Sequence, residues 1–282
     1  MLITANFRKR RRAFPLLLIG LLCLSLCSGW ASAGQDPAGL RLFANVGGFA
    51  HALAVSPDWK SFATVSIDGD VRIYDADTGF ELRRMMGQSH IGCEAAYSPD
   101  GRLLLTTSGE KTLTVWNAAD GKELLKVSLK EGTSAVAFAP DGKRFAVACF
   151  DHATHIFDTR TGAELVKIPQ AGIVEAAAFS PDGNHLALVG WGGMAHICDS
   201  VTGKVQLLLR GHRSSISGVA YSGDGSRLAT CGGEGTAIIW DAKTGEPLVS
   251  LKGHEADALL PAVGTGPCAC GMPSRQSSYA LW

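Results

Sequence analysis

Short apolar runs separated by turn residues make up most of this chain, and the clearest set lies between Gly211 and Leu251. Residues 219–221 and 228–230 read as strands on either side of the tight turn Ser222-Gly223-Asp224-Gly225. A second turn at Glu234-Gly235 leads into residues 237–240, a third strand whose heaviest side chain, Trp240, comes last. Residues 241–245 form a third turn-rich segment and 248–251 a fourth strand. At Ser98 and Ser180 the first turn reads Ser-Pro-Asp-Gly, with Pro second and Gly fourth as a type I turn prefers. A unit of four short strands cannot bury both of its faces by itself, so several such units must cover one another.

The units repeat with a steady beat. Asp58, Asp100, Asp141, Asp182 and Asp224, all in the first turn, stand 42, 41, 41 and 42 residues apart. Tyr74-Asp75, Trp116-Asn117, Phe157-Asp158, Cys198-Asp199 and Trp240-Asp241 keep the same intervals, and Gly79, Gly121, Gly162, Gly203 and Gly245 follow each pair. A period near 40 with one aromatic-Asp pair per unit belongs to radial arrays of four-stranded sheets and not to helical solenoids. Five antiparallel blades are therefore expected, with first strands at 50–55, 92–97, 134–138, 175–179 and 216–221.

Gly211-His212 and Trp240-Asp241 resemble the Gly-His and Trp-Asp pairs of the WD40 family, and the resemblance covers roughly residues 45 to 254. It implies an all-β propeller over residues 34–254 that binds a protein or peptide partner on one face. It also implies a hydrogen-bonded brace inside the blade, made here by His212, Glu234, Thr230 and Trp240, with Asp241 completing the motif. The other copies depart from the pattern. Val46, Gln88, Leu129 and Gln170 stand where His would be, and Cys198 replaces Trp in the fourth unit. Those blades are expected to rely on packing alone.

The ends of the array leave two accounts open. Residues 36–43 look like the closing turn and last strand of a unit without its beginning, and Gly253-His254 opens a sixth. Trp282 follows His254 at the separation that joins His212 to Trp240, but the chain between is rich in Gly, Pro and Ser. Residues 255–282 are either a degenerate sixth blade completed by 40–43, which would hide the sheet edges, or an appended tail.

Composition changes this picture in one respect. With 282 residues, 46% of them hydrophobic, the chain can bury a large core. Its zero formal charge conceals an asymmetry: residues 1–33 hold five basic and no acidic residues, leaving 21 positive against 26 negative charges in the remainder. Such a remainder offers no electrostatic footing for nucleic acid or an anionic membrane. The basic run, the apolar stretch 15–27 and Ala31-Ser32-Ala33 have the three parts of a secretory signal, predicting export to the periplasm or exterior. Arg11-Arg12 leaves a twin-arginine route open beside the general one.

Candidate chemistry is sparse. Cys93, Cys149, Cys198 and Cys231 fall at strand positions of different units and read as small hydrophobes, while Cys268-Ala269-Cys270 has neither redox nor zinc spacing. His152 and His155 are the nearest approach to a metal or catalytic pair, but no third ligand stands out beside them, so no metal, cofactor or catalytic residue is assigned. Trp191 lies in the second turn of the fourth unit, with Phe150 and His152 in the equivalent turn one unit earlier. The family resemblance puts these turns on the end that carries the Gly-His loops. Trp191 there is cover for its own turn or an anchor for a partner, and His152 beside it would make binding sensitive to pH. The expected activity is that of a monomeric, exported, non-enzymatic scaffold with these three residues as partner contacts. An enzyme with its site at the channel mouth, and a truncated repeat fragment, are the alternatives.

Overall fold

The structure, a computed structural model, describes residues 50–86 and 92–252, and the proposed closing segments 40–43 and 255–282 lie outside them. Every strand in the described part belongs to one of five four-stranded antiparallel meanders, each running through the sheet in chain order. Blade 1 is β1 (Ala50–Val55), β2 (Ser61–Ser66), β3 (Val71–Asp75) and β4 (Glu81–Met85). Blade 2 is β5 (Gly92–Tyr97), β6 (Leu103–Ser108), β7 (Thr112–Asn117) and β8 (Glu123–Ser128). Blade 3 is β9 (Thr133–Phe138), β10 (Arg144–Cys149), β11 (Ala153–Asp158) and β12 (Glu164–Pro169). Blade 4 is β13 (Val174–Phe179), β14 (His185–Gly190), β15 (Met194–Asp199) and β16 (Val205–Leu208), and blade 5 is β17 (Ile216–Tyr221), β18 (Arg227–Gly232), β19 (Thr236–Asp241) and β20 (Pro247–Lys252). Strands β9 and β13 begin one residue earlier than the apolar pattern suggests. A bulge recurs in each pairing of first and second strand, adding one residue at Ser134, Glu175 and Ser217 among others and breaking the alternation there.

The turns explain the beat. Ser98 Oγ donates to Asp100 and accepts from the Leu103 backbone, while Gly101 N–H closes the turn onto Ser98 at 2.9 Å; Ser56, Ser180 and Ser222 begin their turns in the same way. In the third turn Asp158 accepts the Thr161 N–H and hydroxyl, both at 2.7 Å, and Gly162 N–H bonds the Asp158 carbonyl. Gly162 must be glycine twice over. Its φ is +70°, and a Cβ there would meet Val127 of the preceding blade at 2.9 Å.

The core is divided between blades. Ala63, Val65, Ile73, Leu104 and Trp116 pack blade 1 on blade 2, and Leu113, Val136, Phe145 and Phe157 pack blade 2 on blade 3. Ile156, Ile168, Leu186 and Leu188 join blades 3 and 4, and Ile197, Ile216, Leu228 and Trp240 join blades 4 and 5. Each sheet thus buries its faces against its neighbours. The last strand, β20, is exposed at every residue, including Leu248, Val249 and Leu251.

Candidate functional site

In a meander successive hairpin turns alternate between the two ends of the sheet, so the second turn and the loop leading into the blade share one end. Hydrogen bonds join them: Phe150 N–H reaches the Gly132 carbonyl at 2.9 Å, Trp191 that of Ile173 at 3.0 Å, and Gly233 that of Ser215 at 2.8 Å. Trp191, Phe150 and His152 therefore lie on the end that carries Gly211-His212. Trp191 opens a short 3-10 turn, Trp191–Gly193, and is 46% exposed. Glu175, whose carboxyl burial pushes up, accepts a side-chain hydrogen bond from Trp191 that partly offsets the rise. Phe150 is half-buried and rests on Gly132, where a Cβ would meet its ring at 3.2 Å. His152 is exposed and adopts φ +58°, whereas glycine fills the equivalent left-handed position at Gly69, Gly193 and Gly235.

Blade 5 contains a continuous polar chain. Glu234, in its second turn, is held at about 2: burial opposes the shift, and hydrogen bonds from the Thr236 hydroxyl and from His212 outweigh it. A carboxylate that stays ionised only accepts, so His212 Nδ1 carries the proton shared with it. His212 Nε2 lies 2.7 Å from the Thr230 hydroxyl, and the same oxygen accepts the Trp240 indole N–H at 2.8 Å. Trp240 is fully buried. Asp241 stands apart from this chain and caps the third turn by accepting the Lys243 and Thr244 N–H groups.

The WD domain, G-beta repeat family model matches residues 203–241, the stretch that holds most of this chain of contacts, and the model described as Outer membrane protein assembly factor BamB matches residues 67–208. WD repeat-containing protein 1 of Bos taurus is 39% identical over 74 residues, 25% of this chain and 12% of that protein. Actin-interacting protein 1 of Drosophila melanogaster is 35% identical over 79 residues, 27% of this chain and 13% of that protein. The matches thus span about an eighth of the length of these relatives. Among solved structures, the Myceliophteria_thermophila Cps50 (Swd1) beta-propeller domain superposes with a TM-score of 0.65 at 19% identity, covering 71% of this chain and 68% of that one. Residues 203–241 match a WD40 repeat, and together with the propeller fold these matches support a WD40 β-propeller family. WD40 propellers generally act as protein-interaction scaffolds.

The repeats are uneven, and blades 2, 3 and 4 do not rest on packing alone. Blade 2 keeps the indole link, with Trp116 donating to Thr106 at 2.8 Å. In blade 4 Gln170, at the histidine position, bonds His196 Nε2 at 2.6 Å. Blade 3 has Leu129 in that position, and its turn acid Asp151 finds other partners: His155 Nε2 at 3.2 Å and Lys167 Nζ at 3.0 Å. The paired reading of His152 and His155 fails geometrically, because the first is exposed and the second is a buried strand residue. The neighbour of His155 is instead Cys149, which the sequence reads as a small hydrophobe and whose sulfur lies within 4.8 Å of the Asp151 and His155 ligand atoms. Burial, and then the charge of Asp151, push its thiol up to about 12, so it stays protonated and is no nucleophile near neutrality.

Proposed function

We propose that this WD40 chain is an exported, non-enzymatic scaffold that captures a protein or peptide through the end formed by the second turns and inter-blade loops, with Trp191, Phe150 and His152 among the contacts. The observation that carries this reading is Trp191, a large side chain left nearly half exposed on a turn at that end. Tryptophan contributes disproportionately to interface energy because it displaces much water for little lost freedom. Export is supported by the basic, apolar and small-residue segments of residues 1–33, and the match to a family described as an outer membrane assembly factor is in keeping with it.

The test is capture of partners from the exported fraction, followed by affinity and melting measurements on Trp191→Ala. Affinity should fall about tenfold or more, roughly 1.4 kcal/mol, while stability falls by only about 1 kcal/mol from the lost hydrogen bond to Glu175. An affinity unchanged, or one that merely tracks unfolding, removes Trp191 from the contact surface.

A further inference from the structure

Blade 3 brings together a thiol, a carboxylate and an imidazole that no step of the scaffold reading uses. Cys149 ends β10, Asp151 sits in the turn that follows, and His155 lies on β11. Cys149 and His155 are 4% and 8% exposed, and the ligand atoms of all three residues lie within 4.8 Å of one another. They line a pocket of about 300 Å³ between the end of blade 2 and blade 3.

The orientation of His155 is the second observation. Its Nε2 lies 3.2 Å from both Asp151 oxygens, on the side of the cluster, while Nδ1 makes no hydrogen bond within the protein and lies 3.3 Å from Glu164 Oε1. Nδ1 is thus buried and unpaired beside the Glu164 carboxylate while Nε2 lies on the Asp151 side, and a small ring rotation would give the carboxylate–histidine arrangement common at metal sites. We propose that Cys149, Asp151 and His155 form a site for a zinc-like divalent cation, with a fourth position open to the pocket. The donor set of sulfur, nitrogen and oxygen suits Zn²⁺ and disfavours Mg²⁺ and Ca²⁺, which take oxygen alone. Binding replaces the thiol proton, which passes to solvent, by a metal–sulfur bond, and neither partner is oxidised or reduced.

One feature opposes binding and thereby makes the proposal testable. Lys167 Nζ stands 3.0 Å from Asp151 Oδ2, a cation already on the carboxylate. Its side chain is 47% exposed, so it can swing into solvent when the metal arrives.

The experiment titrates the purified protein with Co²⁺, which reports tetrahedral thiolate coordination by strong visible bands and a near-ultraviolet sulfur-to-metal band, and then displaces it with Zn²⁺. The wild type should show both signals. Cys149→Ser should lose the sulfur band, His155→Gln and Glu164→Gln should weaken affinity by roughly ten- to a hundredfold, and Lys167→Met should tighten it. Cys268→Ser/Cys270→Ser should keep the band. A pale six-coordinate spectrum, a sulfur band that survives Cys149→Ser, or weaker binding in Lys167→Met overturns the site. Because Lys167→Met alters an exposed side chain, that arm decides even if the buried serine variant fails to fold. Failure here leaves the partner face untouched, since no metal enters that reading.

Discussion

Blades 3 and 5 share one backbone and wire it differently. In both, the second strand ends opposite the start of the third, Cys149 pairing with Ala153 and Gly232 with Thr236, and an acid sits in the turn between. In blade 5 that acid, Glu234, meets a histidine from the loop ahead of the blade, and the contact runs on through Thr230 to Trp240. In blade 3 the loop offers Leu129, the strand offers Val147 in place of threonine and Phe157 in place of tryptophan, so none of the groups that link up in blade 5 is available to Asp151. It is held by His155 and Lys167 from the third and fourth strands. The lesson is that a turn acid drawn toward the blade interior, as in these two blades, needs to be satisfied but not by a particular partner: an ionised group there costs too much to leave alone, and two sets of neighbours meet that demand.

The difference should appear most strongly when the buried aromatic is removed. Trp240→Ala should cost about 3 to 5 kcal/mol, and Phe157→Ala a similar amount, because each leaves a cavity between two blades. Blade 5 should then be distinguished by Thr230→Val, which keeps the shape but strands the Trp240 N–H and the His212 ring and should cost about 1 to 3 kcal/mol. Blade 3 already carries valine there. Urea midpoints in which Thr230→Val is silent would mean that the chain of contacts contributes nothing beyond packing.

A smaller effect is expected on acidification. Glu234 is held at about 2 against an ordinary glutamate value of 4.5, so its folded-state pKa is depressed. Its contribution is therefore complete above 4.5 and is lost as pH falls toward 2, a change of about 1 to 2 kcal/mol once solvent screening is allowed for. Glu234→Gln should flatten stability across that window. Asp151 is also held low, its burial overridden by Lys167 and His155, but Asp151→Asn should flatten the curve less because Lys167 is about half exposed to screening solvent. Equal slopes in the two variants would erase the proposed distinction between the blades.

How much of this is legible in the chain follows from the same contrast. The five blades are readable because turn residues are forced by backbone geometry: Asp158 must cap its turn and Gly162 must tolerate both a positive φ and the close side chain of Val127. The blade 5 contacts are readable because His212, Glu234 and Trp240 keep the family's residue types. The Asp151 cluster is not. Cys149 looks like one more apolar strand residue, and only the hairpin register turns it toward a histidine six positions on. The bulge at Ser134 and Glu175 hid the starts of two strands for a related reason, since one inserted residue reverses the alternation that marks them. The exposed Trp59, in a first turn at the opposite end, takes the place of the turn glycine with φ +62°, and nothing in the spacing of the turn acids marks it.

The smallest effect on stability carries the sharpest information about the binding face. His152 occupies a left-handed position that glycine fills in blades 1, 4 and 5, and a side chain there costs on the order of 1 kcal/mol. His152→Gly relieves that strain but enlarges the unfolded ensemble by a comparable amount, so the melting temperature should move by no more than a few degrees, about 1 kcal/mol in either direction. The reciprocal Gly235→His in blade 5 imports the strain and should destabilise by about 1 to 2 kcal/mol. Lys111 of blade 2 shares this strain at φ +61°, so what sets His152 apart is its place beside Phe150 on the proposed contact end, and the test is of what it touches there. Partner capture should therefore weaken several-fold in His152→Gly while Gly235→His binds as before. If His152→Gly captures the partner as well as the wild type does, the strained turn of blade 3 is incidental and the contact surface contracts to Trp191 and its own blade.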